Sequence, residues 1–285
     1  MQSRFGESEL LGSIVGGAIG DVLGGIPERR NASFSDDTQL TLASCEAIIV
    51  ARRIAPESIA AQMLVWFRER RITGIGSSTL KAMRDLEAGA HWALAGARGE
   101  RAAGNGAAMR IAPVAFFLDP SVPAERTTIR DITRITHHHE EAYVGALAVV
   151  FAIRHAAARQ SLSLADIASH LPDSRVRDNL LKLSSSAELA LPEMATLVGT
   201  SGSAAESVPF ALAIVPRMIA EGFEATLYAL NEVGGDTDTI GSIGGQVAGA
   251  YIGAEELPTD VLSGVPHADE VLSIAREFAA MGSGA

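Results

Sequence analysis

Cysteine is almost absent from this sequence, and positive charge is scarce. One cysteine in 285 residues rules out an intramolecular disulfide and a zinc or iron site built on several thiolates. Cys45 lies in the apolar run 42–50, so we expect a buried structural thiol. With 23 basic against 34 acidic residues the net charge is -11, which argues against sequence-specific nucleic-acid binding and against wrapping of a nucleic-acid backbone. Any anionic ligand must be held by helix N-termini, a few arginines or bound cations.

Long hydrophobic runs are missing as well. The longest clean apolar run, residues 146–153, is far shorter than the roughly 18 residues that a membrane span needs. Residues 1–9 lack the basic stretch and the apolar run of a signal peptide. A cytoplasmic location without a membrane partner is therefore expected.

Apolar residues at helical spacing are abundant. The chain is 47% hydrophobic, apolar residues recur three and four positions apart, and alternating β-branched runs are scarce. We predict a nearly all-helical chain that forms one domain over residues 1–285, with 183–207 as the only candidate boundary. The predicted helices are 8–24, 36–53, 56–69, 77–88, 107–118, 123–134, 138–157, 163–170, 174–190, 205–220, 222–232, 238–253 and 267–281.

Two predicted helices carry a glycine at every fourth position. These glycines are Gly12, Gly16, Gly20 and Gly24 in the first helix, and Gly241, Gly245, Gly249 and Gly253 in the second. A glycine inside a helix costs about 0.5 to 1 kcal/mol relative to alanine, so close helix packing is the expected compensation. We predict that the two helices pack centrally, on each other, which would bring Asp21 towards Asp236 and Asp238. The alternative is that the glycines mark loops.

Two acidic clusters each stand at the start of a predicted helix. They are Ser35-Asp36-Asp37-Thr38 and Gly234-Gly235-Asp236-Thr237-Asp238-Thr239. Either cluster alone is explained by helix capping, because acidic side chains complement the first turn. If both meet, four carboxylates and two hydroxyls share a small volume, and only a cation keeps them ionised. Oxygen ligands without cysteine or paired histidines favour Mg²⁺, Mn²⁺ or Ca²⁺, and their number indicates two ions.

Two glycine loops and one run of histidines are the remaining candidates for a binding site. Residues 104–110 form a glycine turn that ends in Arg110 and is predicted to lead into a helix, which suits a pyrophosphate. The loop 74–79 is similar, and both signals are weak alone. Thr136 and His137 precede two further histidines. We interpret this run as a solvated helix start with one histidine facing a cleft, with a metal site as the alternative.

These motifs together resemble the ADP-ribosylglycohydrolase family, of the dinitrogenase reductase-activating glycohydrolase and ADP-ribosyl-acceptor hydrolase type. The resemblance rests on five motifs that occur in order over residues 13–253, namely 20–24, 35–38, 104–110, 136–137 and 234–239. It implies an all-α, compact single-domain orthogonal helical bundle with a central cleft for two Mg²⁺ or Mn²⁺ ions. It also implies a hydrolase that releases ADP-ribose from a modified protein or from a small molecule that contains ADP-ribose.

The resemblance assigns roles to individual residues. Metal ligands would be Ser35, Asp36, Asp37, Asp236, Asp238 and Thr239. Catalytic roles would fall to Glu28, Asp36 and Asp37. Substrate would contact Gly74, Gly76, Ser77, Gly104, Asn105, Gly106, Ala107, Arg110 and His137.

The sequence departs from the family pattern in three places. Ser35 stands where threonine is usual. The family commonly has a longer insertion between the glutamate and the first acidic cluster, whereas only residues 29–34 separate Glu28 from that cluster here. Gly74 stands where arginine-specific members carry an aspartate, so specificity for ADP-ribosyl-arginine is not implied. Two alternatives to the hydrolase are a module that binds ADP-ribose or a nucleotide without turnover, and a hydrolase of another ribosyl metabolite.

Overall fold

A computed structural model describes residues 2–25, 33–186 and 188–283, and over these residues the fold is all-α, as predicted. The helices are α1 (Glu7–Gly25), α2 (Asp36–Ala51), α3 (Pro56–Arg68), α4 (Ser77–Glu87), α5 (Ala112–Ala115), α6 (Pro123–Arg134), α7 (Glu140–Ala157), α8 (Leu164–Ser169), α9 (Arg175–Ser184), α10 (Leu191–Val198), α11 (Ala204–Glu221), α12 (Phe223–Val233), α13 (Thr237–Ile252) and α14 (Ala268–Ser283). In the described ranges, no helix is long and apolar enough to cross a membrane.

The two glycine rows pack helix α1 against helix α13 in antiparallel register. A methyl group added at Gly16 would lie 2.4 Å from the carbonyl oxygen of Gly245, and one added at Gly245 would lie 2.2 Å from that of Gly16. The same close approach joins Gly12 to Gly249 and Gly20 to Gly241. The predicted contact is therefore confirmed, and the facing backbone leaves no space for a methyl group at Gly12, Gly16, Gly20, Gly241, Gly245 or Gly249.

Helices α1 and α7 lie in the interior of the fold. Helix α1 is buried at nearly every position from Leu10 to Gly24, and α7 is buried from Ala142 to Ile153. Cys45 in α2 is fully buried, as predicted, and burial raises the pKa of its thiol well above the ordinary value. The core therefore surrounds α1, which carries the first glycine row and Asp21, and it also includes part of α2, which follows the first acidic cluster.

The predicted helix 107–118 is wrong over most of its length. Residues 106–110 form a turn, and only Ala112–Ala115 is α-helical. Pro113 has no N–H to donate to the carbonyl of Met109, four residues earlier. Two other groups donate to that carbonyl instead, the Gln246 side-chain amide at 2.5 Å and the Thr41 hydroxyl at 3.3 Å. The proline lies in the first turn of α5, so the helix does not extend back through residues 107–111 as the apolar spacing alone suggested.

The predicted helix 138–157 is confirmed, but it begins two residues later than predicted. Residues His137–His138 form strand β2, which pairs in parallel with strand β1 (Ala97–Arg98). Helix α7 begins at Glu140, and the ring nitrogen Nδ1 of His139 caps it by accepting a hydrogen bond from the Glu141 N–H at 3.1 Å. Successive side chains of a strand face opposite sides, so His137 and His138 point to different surroundings.

The segment 183–207, a candidate boundary, contains a helix that we did not predict. Helix α9 ends at Ser184, short of the predicted residue 190, and α10 follows with Pro192 in its first turn. Leu191, Met194 and Val198 in α10 are buried, three and four residues apart. This helix packs on α9, α11 and α12.

Candidate metal centre and substrate cleft

Three carboxylates from three helices meet at one end of the α1–α13 seam. Helix α1 contributes Asp21, the first turn of α2 contributes Asp37, and the first turn of α13 contributes Asp238. One oxygen from each of these three side chains lies within 4.8 Å of the others. The glycine register predicted that Asp21 approaches Asp238, yet our predicted ligand set omitted Asp21.

Asp21 also holds the start of helix α2. Its Oδ2 accepts hydrogen bonds from the Ser35 N–H at 3.0 Å, the Thr38 N–H at 3.3 Å and the Thr38 hydroxyl at 2.5 Å. The first N–H groups of a helix lack partners within the helix, and a carboxylate there stabilises the positive end of the helix dipole. Burial nevertheless outweighs these bonds and raises the pKa of Asp21 to about 6.

Asp37 joins the two acidic clusters directly. Its Oδ2 accepts hydrogen bonds from the Ser35 hydroxyl at 3.0 Å and from the Thr239 hydroxyl at 3.2 Å. Its Oδ1 is buried and has no hydrogen-bond partner among the described residues. Burial, followed by repulsion from Asp21, Asp36 and Asp238, raises the pKa of Asp37 well above the ordinary value.

Asp36 and Asp236 lie on either side of this centre. Asp36 is largely buried and accepts a hydrogen bond from the Gly76 N–H, and burial raises its pKa to about 7. Asp236 accepts a hydrogen bond at 2.5 Å from the side-chain amide of Asn105. Burial raises the pKa of Asp236 as well, although the bond from Asn105 opposes that shift. The two acids thereby tie the loop 74–79 and the turn 104–110 to the metal centre.

This donor set fits a hard divalent cation. It consists of carboxylate and hydroxyl oxygens, and the unpartnered Oδ1 of Asp37 lies buried among like charges. A carboxylate without a partner in the interior is costly, and oxygen ligands of this kind are preferred by Mg²⁺, Mn²⁺ and Ca²⁺. Helix capping alone explains Ser35 and Asp21, but it leaves the Asp37 oxygen without a role.

A cleft of about 350 Å³ opens above the acids. Twelve of the predicted site residues line it, and they are Asp36, Asp37, Gly74, Gly76, Ser77, Gly104, Asn105, Gly106, His137, Asp236, Asp238 and Thr239. Five lining residues were not predicted, namely Ser78, Thr79, Arg101, Met109 and Gly202. Arg101 is exposed and carries the one positive charge, histidines aside, among the described residues of the lining.

Three predicted residues lie behind the cleft wall, and a fourth cannot be described. Ser35 reaches the cleft only through its bond to Asp37, and Ala107 is fully buried. Arg110 is 1% exposed and donates from Nη2 to the Thr136 hydroxyl and to the Ile132 carbonyl, away from the cleft. The expected contact between Arg110 and a phosphate is therefore not supported, because this side chain is buried and points towards Thr136 and Ile132. Glu28 lies outside the described residues.

His137 is buried at the cleft wall with its Nε2 edge beside the glycine turn. A methyl group added at Gly104 would lie 3.3 Å from Nε2, and one at Gly106 would lie 2.9 Å from the ring carbon Cε1. Burial, together with the Arg110 charge, lowers the pKa of His137 to about 3. This histidine faces the cleft, as we predicted, but it is buried in a strand and does not belong to a solvated helix start. It is a neutral hydrogen-bonding group.

A comparison with protein families gives the deciding observation. A model of the ADP-ribosylglycohydrolase family matches residues 3–284. The chain belongs to this family. An uncharacterized protein of Archaeoglobus fulgidus is 31% identical over 225 residues, which cover 76% of this chain and 71% of that protein. The ADP-ribosylarginine hydrolase Tri1 of Pseudomonas putida is 24% identical over 94% of this chain and 76% of its own length.

A solved structure agrees with the assignment. The chain is similar to a structure described as an ADP-ribosylglycohydrolase-related protein complex, with a TM-score of 0.73 and 26% identity. The alignment covers 97% of this chain and 98% of the other. The all-α fold seen here is thus the fold of the family.

Proposed function

We propose that this protein is a metal-dependent hydrolase that cleaves the glycosidic bond between ADP-ribose and an acceptor. The acceptor is a protein side chain or a small molecule. The residues that would hold two Mg²⁺ or Mn²⁺ ions are Ser35, Asp36, Asp37, Asp236, Asp238 and Thr239, with Asp21 beside them. Membership of the ADP-ribosylglycohydrolase family supports the reaction class. We further propose that residues 1–285 act as one such domain in the cytoplasm.

One observation carries the proposal, and it is the state of Asp37. This carboxylate is buried among three others, and its Oδ1 has no partner among the described residues. A protein keeps such a group only when something offsets its cost, and a cation does so best. When bound, divalent cations polarise the ribose hydroxyls and a water molecule in the cleft.

The cleft walls offer suitable partners for the rest of ADP-ribose. The turn Gly104–Gly106 presents backbone close to the cleft, since neither glycine has a side chain there. The diphosphate would lie against this turn, and the exposed Arg101 would supply the positive charge that we first assigned to Arg110. Gly74, Gly76 and Ser77 also line the cleft and would contact the acceptor side.

Hydrolysis at the anomeric carbon also needs a group that accepts a proton. Asp36 lines the cleft, and a carboxylate there can accept a proton from a water molecule. Asp36 is thus our first candidate for the general base, with Asp37 as the second. The family resemblance adds Glu28 as a third. Replacing each by its amide and following turnover would rank the three.

Release of free ADP-ribose tests the proposal. The purified protein is incubated with substrates ADP-ribosylated at arginine, serine or a carboxylate, in Mg²⁺, in Mn²⁺ and in EDTA. Release that requires a metal, and that Asp37→Asn and Asp238→Asn abolish, is expected. Asp173→Asn is the matched control, because Asp173 is a surface carboxylate with a side chain that is 97% exposed.

The same panel identifies the acceptor. Gly74 offers no carboxylate to a guanidinium group, whereas a relative of this chain is named for ADP-ribosylarginine, so arginine must be among the substrates. Tight ADP-ribose binding without release from any substrate would favour a binding module. Absence of both binding and release would refute the proposal.

A further inference from the structure

Arg110 is a buried cation without a carboxylate partner among the described residues. Its Nε and Nη1 are buried without hydrogen-bond partners, and only Nη2 has acceptors, the Thr136 hydroxyl at 2.9 Å and the Ile132 carbonyl at 3.3 Å. A buried charge of this kind is costly, and the two bonds of Nη2 offset only part of that cost. Among the described residues, the Thr136 hydroxyl is the side-chain group to which Arg110 donates, so Arg110 acts on its surroundings through this bond.

The Thr136 hydroxyl connects Arg110 to His137. Its oxygen lies 2.7 Å from Nδ1 of His137. Because a guanidinium group only donates, the threonine oxygen is the acceptor in its bond with Arg110. The hydroxyl hydrogen remains, and Nδ1 of His137 is its one acceptor among the described residues. If Nδ1 instead donated to the threonine oxygen, the hydroxyl hydrogen would have no acceptor. Because Thr136 is fully buried, no water molecule could serve as that acceptor.

This order of bonds determines where His137 carries its proton. If Nδ1 accepts the hydroxyl hydrogen, the neutral ring must carry its hydrogen on Nε2. The Nε2 edge lies beside Gly104 and Gly106 at the cleft, and no described residue accepts a hydrogen bond from it. An N–H donor thus faces the part of the cleft where the diphosphate is proposed to bind.

We propose that Arg110 and Thr136 are positioning residues that fix His137 as the Nε2–H tautomer, so that its imidazole donates one hydrogen bond to an oxygen of the bound substrate. The identity of that substrate rests on the function proposed above, whereas the tautomer does not. The nearby Arg110 charge opposes protonation of the ring and so helps to keep His137 neutral, the state in which one ring nitrogen donates and the other accepts. Arg110 therefore acts on the ligand through His137 and makes no contact with it.

The tautomer is measured first, on the unmodified protein. Histidine is labelled with ¹⁵N, and the ring nitrogens of the seven histidines are observed by NMR at neutral pH. A His137→Gln variant assigns the signals of His137. The expected result is a protonated Nε2 and an unprotonated Nδ1, and a proton on Nδ1 would overturn the proposal. This measurement needs neither substrate nor turnover.

Variants of Thr136 then connect the tautomer to binding. Thr136→Val removes the hydroxyl, so we expect a mixture of both tautomers and ADP-ribose binding weaker by about threefold to tenfold. Thr136→Ser keeps the hydroxyl and should restore both properties. Thr133→Val is the matched control, because Thr133 is also fully buried, but its hydroxyl donates to the Ile129 carbonyl of its own helix.

The outcomes separate the two proposals. A wild-type protein that has the Nε2–H tautomer but does not bind ADP-ribose would refute the proposed function and leave the positioning roles standing. Unchanged tautomer and binding in Thr136→Val would refute the positioning roles alone. If the valine variant does not fold, Arg110→Met should give the same mixture of tautomers, and a fixed Nε2–H signal there would count against Arg110.

Discussion

Replacing Asp37 by asparagine should stabilise the protein without metal and abolish its response to metal. Asp37 is buried beside Asp21, Asp36 and Asp238, and all three raise its pKa by repulsion. The neutral amide removes this repulsion. The oxygen of the new side-chain amide can still accept the bonds from Ser35 and Thr239, while its N–H₂ group would face the remaining carboxylates.

The structure sets the size of the effect. One oxygen of each side chain in the triad lies within 4.8 Å of the others, and two unit charges at that distance repel by about 3 kcal/mol at an effective dielectric constant of about 20. Partial protonation of the cluster relieves part of this energy, so we expect Asp37→Asn to add about 1 to 3 kcal/mol to the free energy of unfolding at pH 8. For a protein of this size that corresponds to a rise in Tm of roughly 2 to 5 °C.

The assay is thermal unfolding in EDTA and in saturating MgCl₂ or MnCl₂. Metal at about 100 times its Kd should stabilise the wild type by about 2.7 kcal/mol and leave Asp37→Asn unchanged, so that the advantage of Asp37→Asn in EDTA is largely removed or reversed in metal. Asp173→Asn should follow the wild type in both. An Asp37→Asn protein that unfolds below the wild type in EDTA would refute the reasoning, since the carboxylate would then be stabilising without a cation.

Two further predictions concern the cleft and its acids. Arg101→Gln should raise KM about tenfold with little change in kcat, because it removes a charge-assisted contact to the diphosphate. Arg98→Gln on strand β1 should change neither constant. An equal rise in KM in both variants would contradict the placement of the diphosphate. Without metal, the raised pKa values of Asp21, about 6, and Asp36, about 7, mean that the folded state binds more protons than the unfolded state above pH 4. Stability in EDTA should therefore fall as pH rises from about 4 to 7, and thermal unfolding that shows the opposite slope would contradict the burial of these acids.

Much of the fold follows from local spacing, and its main errors have physical causes. The three- and four-residue apolar spacing located most helices, and the glycine rows predicted the α1–α13 contact. The spacing failed at 107–118 because Pro113 removes one hydrogen bond, and Gln246 from a distant helix satisfies the freed carbonyl of Met109. No local pattern shows that partner, so Arg110 was expected to face the cleft.

The acidic centre was predictable as a group but not in its detail. Both clusters were recognised, and the glycine register pointed to their meeting. Asp21 was not included among the ligands because nothing around it in the sequence resembles a metal site. Its role follows from its position one residue after Gly20, at the end of the seam where α2 begins. The glycine register placed Asp21 near Asp238, but its contact with the start of α2 is visible only in the tertiary packing.

The seam between α1 and α13 therefore does more than stabilise the core, because its register determines where Asp21 and Asp238 meet. Gly12 lies nine residues before Asp21, about 14 Å along the helix, whereas Gly20 is its neighbour. A methyl group at either glycine would lie 2.0 to 2.4 Å from a facing carbonyl oxygen, so Gly12→Ala and Gly20→Ala should each destabilise the protein by about 2 kcal/mol or more. Only Gly20→Ala should also weaken Mn²⁺ binding, measured by calorimetry, because it separates the helices at the metal centre. Equal loss of Mn²⁺ affinity in both variants would mean that the acids depend on overall stability and not on the local register of the seam.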